Sequence, residues 1–103
     1  MMDQVFTAIA EPTRRELLAH LREAEPLSLS ELAAPLEMSR QAVSKHLDAL
    51  ASAGLVETRW QGRGKLHRLN PEPLRTVEDW LAPYAEAWNR RLERLKRHLE
   101  ENP

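Results

Sequence analysis

Apolar residues recur at helical spacing in five stretches of this 103-residue chain and give way to strand-like content in one. The pattern predicts a short first helix around Val5 to Ile9. Pro12 suits the first turn of a second helix, where its missing N–H would be unpaired anyway, and Leu17, Leu18 and Leu21 then share one face as far as Glu23. Leu27-Ser28-Leu29 reads as a brief extended bridge. After it Ser30 is placed as the cap of a third, short helix that carries Leu32, Ala33 and Leu36 inward and ends near Glu37.

A fourth helix is expected over about 40–53. Ser39 supplies its cap, Val43, Leu47 and Leu50 its buried face, and Gly54 the residue that closes it. At 100° per residue His46 sides with the apolar face, while Gln41, Ser44, Lys45 and Asp48 lie opposite with Arg40 at the edge. Leu55 to Gln61 and Lys65 to Leu69 read as two strands, and Gly62-Arg63-Gly64 between them offers the backbone freedom of a tight turn. The result is a β-hairpin with a cationic tip. Asn70 is placed as the cap of a last helix with Pro71 and Pro73 in its first turn, running to about Glu100.

That last helix carries a heptad seam. Leu74, Val77, Leu81, Tyr84 and Trp88 alternate spacings of three and four, and Leu92, Leu95 and Leu99 resume after one stutter. Some 29 helical residues would span about 43 Å, whereas a 100-residue globule has a radius of gyration of about 13 Å. The seam therefore cannot be buried on its own domain alone. Either Pro83 divides the helix into two that fold back, or the seam meets the same seam of a second chain, and the two can occur together.

Composition narrows the class. With 42% hydrophobic and 30% charged residues the chain suits one compact domain whose modest core gains from a partner subunit. No apolar run approaches the roughly 18 residues of a membrane span, and Met1 to Gln4 lacks the basic and apolar segments of a signal peptide, so a cytoplasmic protein is expected. The absence of cysteine removes disulfides and thiolate ligands. A formal net charge of −1 conceals an uneven distribution. Residues 1–38 hold three bases against seven acids and residues 71–103 six against seven, but residues 39–70 hold six bases against Asp48 and Glu57, a balance of +4. One third of the chain is a basic module, which is either a nucleic-acid face or a solvated surface of uneven charge.

Two runs carry a resemblance. Phe6-Thr7-Ala8-Ile9-Ala10-Glu11-Pro12-Thr13-Arg14-Arg15-Glu16-Leu17-Leu18, and Ser39-Arg40-Gln41-Ala42-Val43-Ser44-Lys45-His46-Leu47 continuing to Ala53-Gly54-Leu55-Val56, are similar to the ArsR family of bacterial repressors. The second run is the more specific. The resemblance implies a mainly α winged helix-turn-helix occupying 1–103 as one domain, with a DNA-binding core at about 30–70 and dimerisation through about 71–100. It further implies a homodimer on a pseudo-palindromic operator in double-stranded DNA, joined by the N- and C-terminal helices. Val5, Phe6, Leu81, Tyr84, Trp88, Leu92, Leu95 and Leu99 are the interface residues so assigned.

A helix seated in a major groove meets base edges mainly with its N-terminal residues, which singles out Arg40, Gln41, Ser44 and Lys45. Gln41 can pair with adenine, Arg40 or Lys45 can reach guanine or a phosphate, and the cap at Ser39 leaves helix N–H groups to a phosphate. Arg63 at the hairpin tip suits a minor groove or flanking phosphates, with Arg59, Lys65 and Arg68 along the arms, where some can instead pair with Glu57 or water. His46 is expected as a packed, hydrogen-bonded residue of the core edge.

Many ArsR-family members sense metals through paired cysteines at the start of the third helix, where Ser28 and Ser30 stand here, or through an Asp-x-His pair on the last helix, where Asp79 is followed by Leu81. His20, His46, His67 and His98 are scattered without a ligand spacing, so no metal site and no cofactor is expected. Trp60, Trp80, Tyr84 and Trp88 either fill core and dimer seam or line a pocket between subunits for an unidentified small-molecule effector. No catalytic constellation stands out, and the chain reads as a regulator and not an enzyme. The competing class is a winged-helix protein-interaction module whose basic face meets an acidic partner.

Overall fold

The computed structural model describes residues 2–102. Five helices and three strands follow in the order α1 (Met2–Ile9), α2 (Pro12–Glu23), β1 (Leu27–Ser28), α3 (Leu29–Ala33), α4 (Arg40–Ser52), β2 (Val56–Gln61), β3 (Gly64–Leu69) and α5 (Arg75–Glu101), with a 3₁₀ turn at Glu72–Leu74 before α5. Leu17, Leu21, Leu32, Val43, Leu50 and Leu55 are fully buried, one helical face after another, and Val56 closes the core from the base of the hairpin. No helix among the described residues is long and apolar enough to cross a membrane.

Each junction has a local cause. Glu11 caps α2 by accepting from the Arg14 N–H at 3.0 Å, ahead of Pro12 in the first turn. Ser39 Oγ accepts from the Ala42 N–H at 3.1 Å and starts α4. At the other end of α4, Leu55 N–H bonds to the Leu50 carbonyl and Gly54 N–H to that of Ala51, both at 2.9 Å, with Gly54 at φ +80°. This is a Schellman closure, and the left-handed residue it requires is the glycine.

The sheet is antiparallel in the order β1-β3-β2. The hairpin falls where the sequence predicts it, and the bridge at Leu27–Ser28 is its third strand, pairing with Leu66 and His67. Both α3 boundaries differ from expectation. Its cap is Ser28, not Ser30: Ser28 Oγ accepts from the Glu31 N–H at 3.1 Å while the Glu31 carboxylate accepts from the Ser28 N–H at 2.9 Å. A serine two residues later cannot form this reciprocal box, which needs an acidic residue three positions on. The helix ends at Ala33 instead of near Glu37, and turns and bends lead to Ser39. Asn70 does not cap α5, whose first turn has no side-chain cap; its Oδ1 accepts from the Glu72 N–H at 3.2 Å, just ahead of the 3₁₀ turn.

Pro83 neither divides nor ends α5, which runs through it as one 27-residue helix. Leu74 and Val77 pack on the core, but Leu81, Tyr84, Trp88, Leu92, Leu95 and Leu99 are 47–62% or, for Trp88, 63% exposed. The helix carries the chain to 64 × 30 × 21 Å and a radius of gyration of 18.5 Å. A fold-back of two half-helices would have shortened both, so the fold-back at Pro83 is not adopted.

Candidate nucleic-acid interface

α3 and α4, joined by the turns that lead to Ser39, form the helix-turn-helix, and α4 leads with its capped N-terminus. Arg40, Gln41 and Lys45 are exposed there, Ser44 is half-buried, and Val43, Leu47 and Leu50 anchor the opposite face in the core. The three exposed side chains thus sit within one and a half turns of four N–H groups that lack helical partners, one of which Ser39 takes up. A phosphate is the natural ligand for the rest.

His46 sits at the core edge as expected. The Arg14 Nε–H donates to its Nδ1 at 3.2 Å, and Glu11 Oε2 lies 3.7 Å from the same nitrogen. A guanidinium can only donate, so Nδ1 is the acceptor in the contact with Arg14. This contact ties α2 to α4.

The hairpin register separates the wing's cations. Thr58 opposes His67 and Trp60 opposes Lys65 on one face, while Glu57 opposes Arg68 and Arg59 opposes Leu66 on the other. The first face looks across a cleft of about 320 Å³ at Ser44 and Asp48 of α4. The second borders a smaller hollow with Pro26. Lys65 therefore shares the α4 side of the wing, and Arg59 and Arg68 occupy its outer side, a division that spacing along the arms did not reveal. Arg63 stands at the tip beside Gly62, whose φ of +62° makes the turn.

Trp60 is the residue whose surroundings differ most from the sequence reading. It neither fills the core nor joins the aromatic group of α5: it is 65% exposed, and Lys65 Nζ lies 5.1 Å from its ring centroid. At that range the indole face attracts the ammonium and holds it at the mouth of the cleft. Trp80 instead packs edge-on against Phe6 at 5.7 Å and tilts against Tyr84 at 5.3 Å. Val5, assigned above to an interface between chains, lies in the core of its own chain at 4% exposure and has no surface to offer a partner. Phe6 beside it is half-buried under Trp80.

Residues 9–59 match the helix-turn-helix domain family model. Over 86 residues the chain is 36% identical to the uncharacterized HTH-type transcriptional regulator YuzN of Bacillus subtilis, covering 77% of this chain and 94% of that one. The structure aligns with that of an ArsR-like transcriptional regulator from Rhodococcus at 37% identity and a TM-score of 0.74, over 99% of this chain and 93% of the other. The chain belongs to the ArsR family. It is a winged helix-turn-helix in a family of transcriptional regulators, not of enzymes. A homodimeric winged helix-turn-helix DNA-binding domain from Mycobacterium bovis also aligns with this ArsR-family chain, at 26% identity and a TM-score of 0.65, over 82% of this chain and 77% of the other.

Proposed function

We propose that this ArsR-family chain is a homodimeric, cytoplasmic transcriptional repressor that binds a pseudo-palindromic operator and does so without a metal. One observation carries the reading: Arg40, Gln41 and Lys45 stand exposed at the capped N-terminus of α4, with Lys65 and Arg63 of the wing flanking the same side. Ser39, Arg40, Gln41, Ser44 and Lys45 then enter a major groove while Arg63 and Lys65 meet the adjoining backbone or minor groove, and Arg59 serves phosphates only on the wing's outer side.

Two copies are needed, since one short helix reads only a few base pairs, and the homodimeric Mycobacterium bovis relative supports that assembly. Metal independence rests on the donor set. The sequence has no cysteine, Ser28 spends its hydroxyl on the Glu31 N–H, and the described residues gather no group of three His, Asp or Glu side chains.

Fluorescence anisotropy against DNA from upstream of the chain's own gene, with scrambled DNA as the control, tests the proposal. Binding should favour the upstream sequence, weaken steeply with salt as counterions are released, and persist in chelator. Equal weak affinity for both DNAs would sink specific regulation, and no complex even at low salt would instead favour a protein-interaction module.

A further inference from the structure

Three side chains beside the proposed DNA surface have no part in it. Trp60 is 65% exposed on the wing, Asp48 is the one acid of α4, and His67 is a buried imidazole. All three line the cleft between α4 and the wing. Asp48 makes no ion pair among the described residues and sets a carboxylate where phosphates would approach, which DNA binding alone disfavours.

At about 320 Å³ the cleft is of a size that holds one small molecule. Burial orders its lining. Leu47 and His67, 3% and 6% exposed, form the floor, while Trp60, Arg63 and Lys65 stand open at the mouth. His67 Nδ1 is spent on the Leu27 carbonyl, so the neutral ring offers Nε2 as an acceptor. Asp48 adds the two acceptor oxygens of a carboxylate.

Each part of the lining asks for a different piece of a ligand. The indole offers an open π-face on which a flat base can stack. A carboxylate beside it calls for N–H donors along one edge of that base, and guanine presents two adjacent ones, its ring N–H and its exocyclic amino group. Arg63 and Lys65 together match a doubly charged phosphate better than a single carboxylate. Ser44 and Thr58, on facing walls, add hydroxyls that suit a sugar.

We propose that this cleft binds a guanine nucleotide. The base stacks on Trp60 with its donor edge on the Asp48 carboxylate, a ribose hydroxyl donates to His67 Nε2, and the phosphate lies between Arg63 and Lys65. Stacking takes the place that the Lys65 ammonium holds over the indole, and the flexible stem lets that charge turn to the phosphate. The nucleotide then occupies two cations that the DNA backbone needs, so nucleotide and operator exclude each other. The inference rests on the DNA-binding reading above and adds a ligand that regulates it.

Isothermal titration calorimetry of the chain with guanosine monophosphate tests the site directly. A dissociation constant on the order of 10–100 μM is expected for a ligand of this size. Adenosine monophosphate, which turns a ring lone pair toward Asp48, should bind at least about tenfold more weakly. Asp48→Asn should lose guanosine monophosphate by a similar factor and gain xanthosine monophosphate, because the new amide donates to the carbonyl that replaces guanine's amino group. This variant should still bind operator, since Asp48 lies outside the proposed DNA contacts.

Anisotropy with operator DNA supplies the second readout. Guanosine monophosphate at about 1 mM should lower the operator affinity of the native chain about tenfold and leave that of Asp48→Asn unchanged. Absence of heat, or equal binding of the guanine and adenine nucleotides by the native chain, would overturn the site. Binding without loss of operator affinity would overturn the mutual exclusion. Failure to bind operator in the absence of nucleotide would instead strike the DNA reading, and the calorimetric result would stand apart from it.

Discussion

His67 Nδ1 lies 3.0 Å from the Leu27 carbonyl, inside the sheet and on a ring only 6% exposed. A carbonyl only accepts, so Nδ1 carries the proton and donates it. The contact spans 40 residues of sequence and fixes the wing's inner strand to the strand that opens the helix-turn-helix. It adds a side-chain tie to the backbone pairing of β1 with β3, which joins the wing to the start of the helix-turn-helix.

Replacing His67 with alanine leaves that carbonyl competing for water at a buried site and opens a void beside Thr58. The expected cost is about 2 kcal/mol in urea unfolding, seen as a lower midpoint at constant slope. DNA affinity should fall as well, because the wing loses its fixed pose. Unchanged stability would show that the sheet does not depend on this bond.

The reading helix and the wing should respond differently to truncation. Gln41→Ala removes a side chain suited to base edges and should reduce discrimination between operator and scrambled DNA by about 1–3 kcal/mol. Arg63→Ala removes a phosphate or minor-groove contact, so binding to both DNAs weakens together and the salt slope drops by about 1. Titrations of both variants at two or more salt concentrations separate the effects; equal losses of discrimination would contradict the division of roles.

Much of this arrangement is legible in the chain because its signals are local. Ser39 with Val43, Leu47 and Leu50 announces α4, and Gly54 its end, since a cap and a left-handed closure each need a particular residue. The box from Ser28 to Glu31 is equally local and was hidden only by the second serine at position 30. What the chain withholds is set by pairing at a distance. Strand register decides that Lys65 faces α4 while Arg59 faces away, and the two residues look alike in sequence. Trp60 reads as core or interface from its type alone, and only the hairpin places it in the open beneath an ammonium. Val5 reads as a partner contact because the family resemblance gives the first helix to the dimer, yet one side of that helix serves its own core.

Glu31 ties part of the fold to pH. The Ser28 N–H, and then its hydroxyl, stabilise the ionised carboxylate and hold its pKa below the ordinary glutamate value, although the group is exposed. The sign follows from linkage. Because the folded value is the lower one, the stabilisation is fully present above the unfolded value and is lost as pH falls through the folded one. Thermal unfolding followed from about pH 6 down to about pH 3 should show the native chain converging on Glu31→Ala. A gap that stayed constant across this range would show that ionisation of Glu31 is not what holds the α3 cap.

Gly54 precedes the hairpin and Gly64 opens its second strand, and the two should tolerate a methyl group unequally. At Gly54 the φ of +80° puts an alanine in the left-handed region, and its Cβ would stand 3.4 Å from Pro73 Cγ, an ordinary contact. The penalty is therefore backbone strain and not collision, about 1–2 kcal/mol for Gly54→Ala. At Gly64 the φ is not positive and an added Cβ meets nothing within 4 Å, so Gly64→Ala should be neutral or slightly stabilising by reducing the freedom of the unfolded chain. Gly54 lies at the far end of α4 from Arg40 and Gln41, so the folded fraction of Gly54→Ala should bind DNA with native affinity. Paired unfolding and anisotropy measurements check this. A loss of affinity at temperatures where the variant is fully folded would show that the closure of α4 also sets its approach to the duplex.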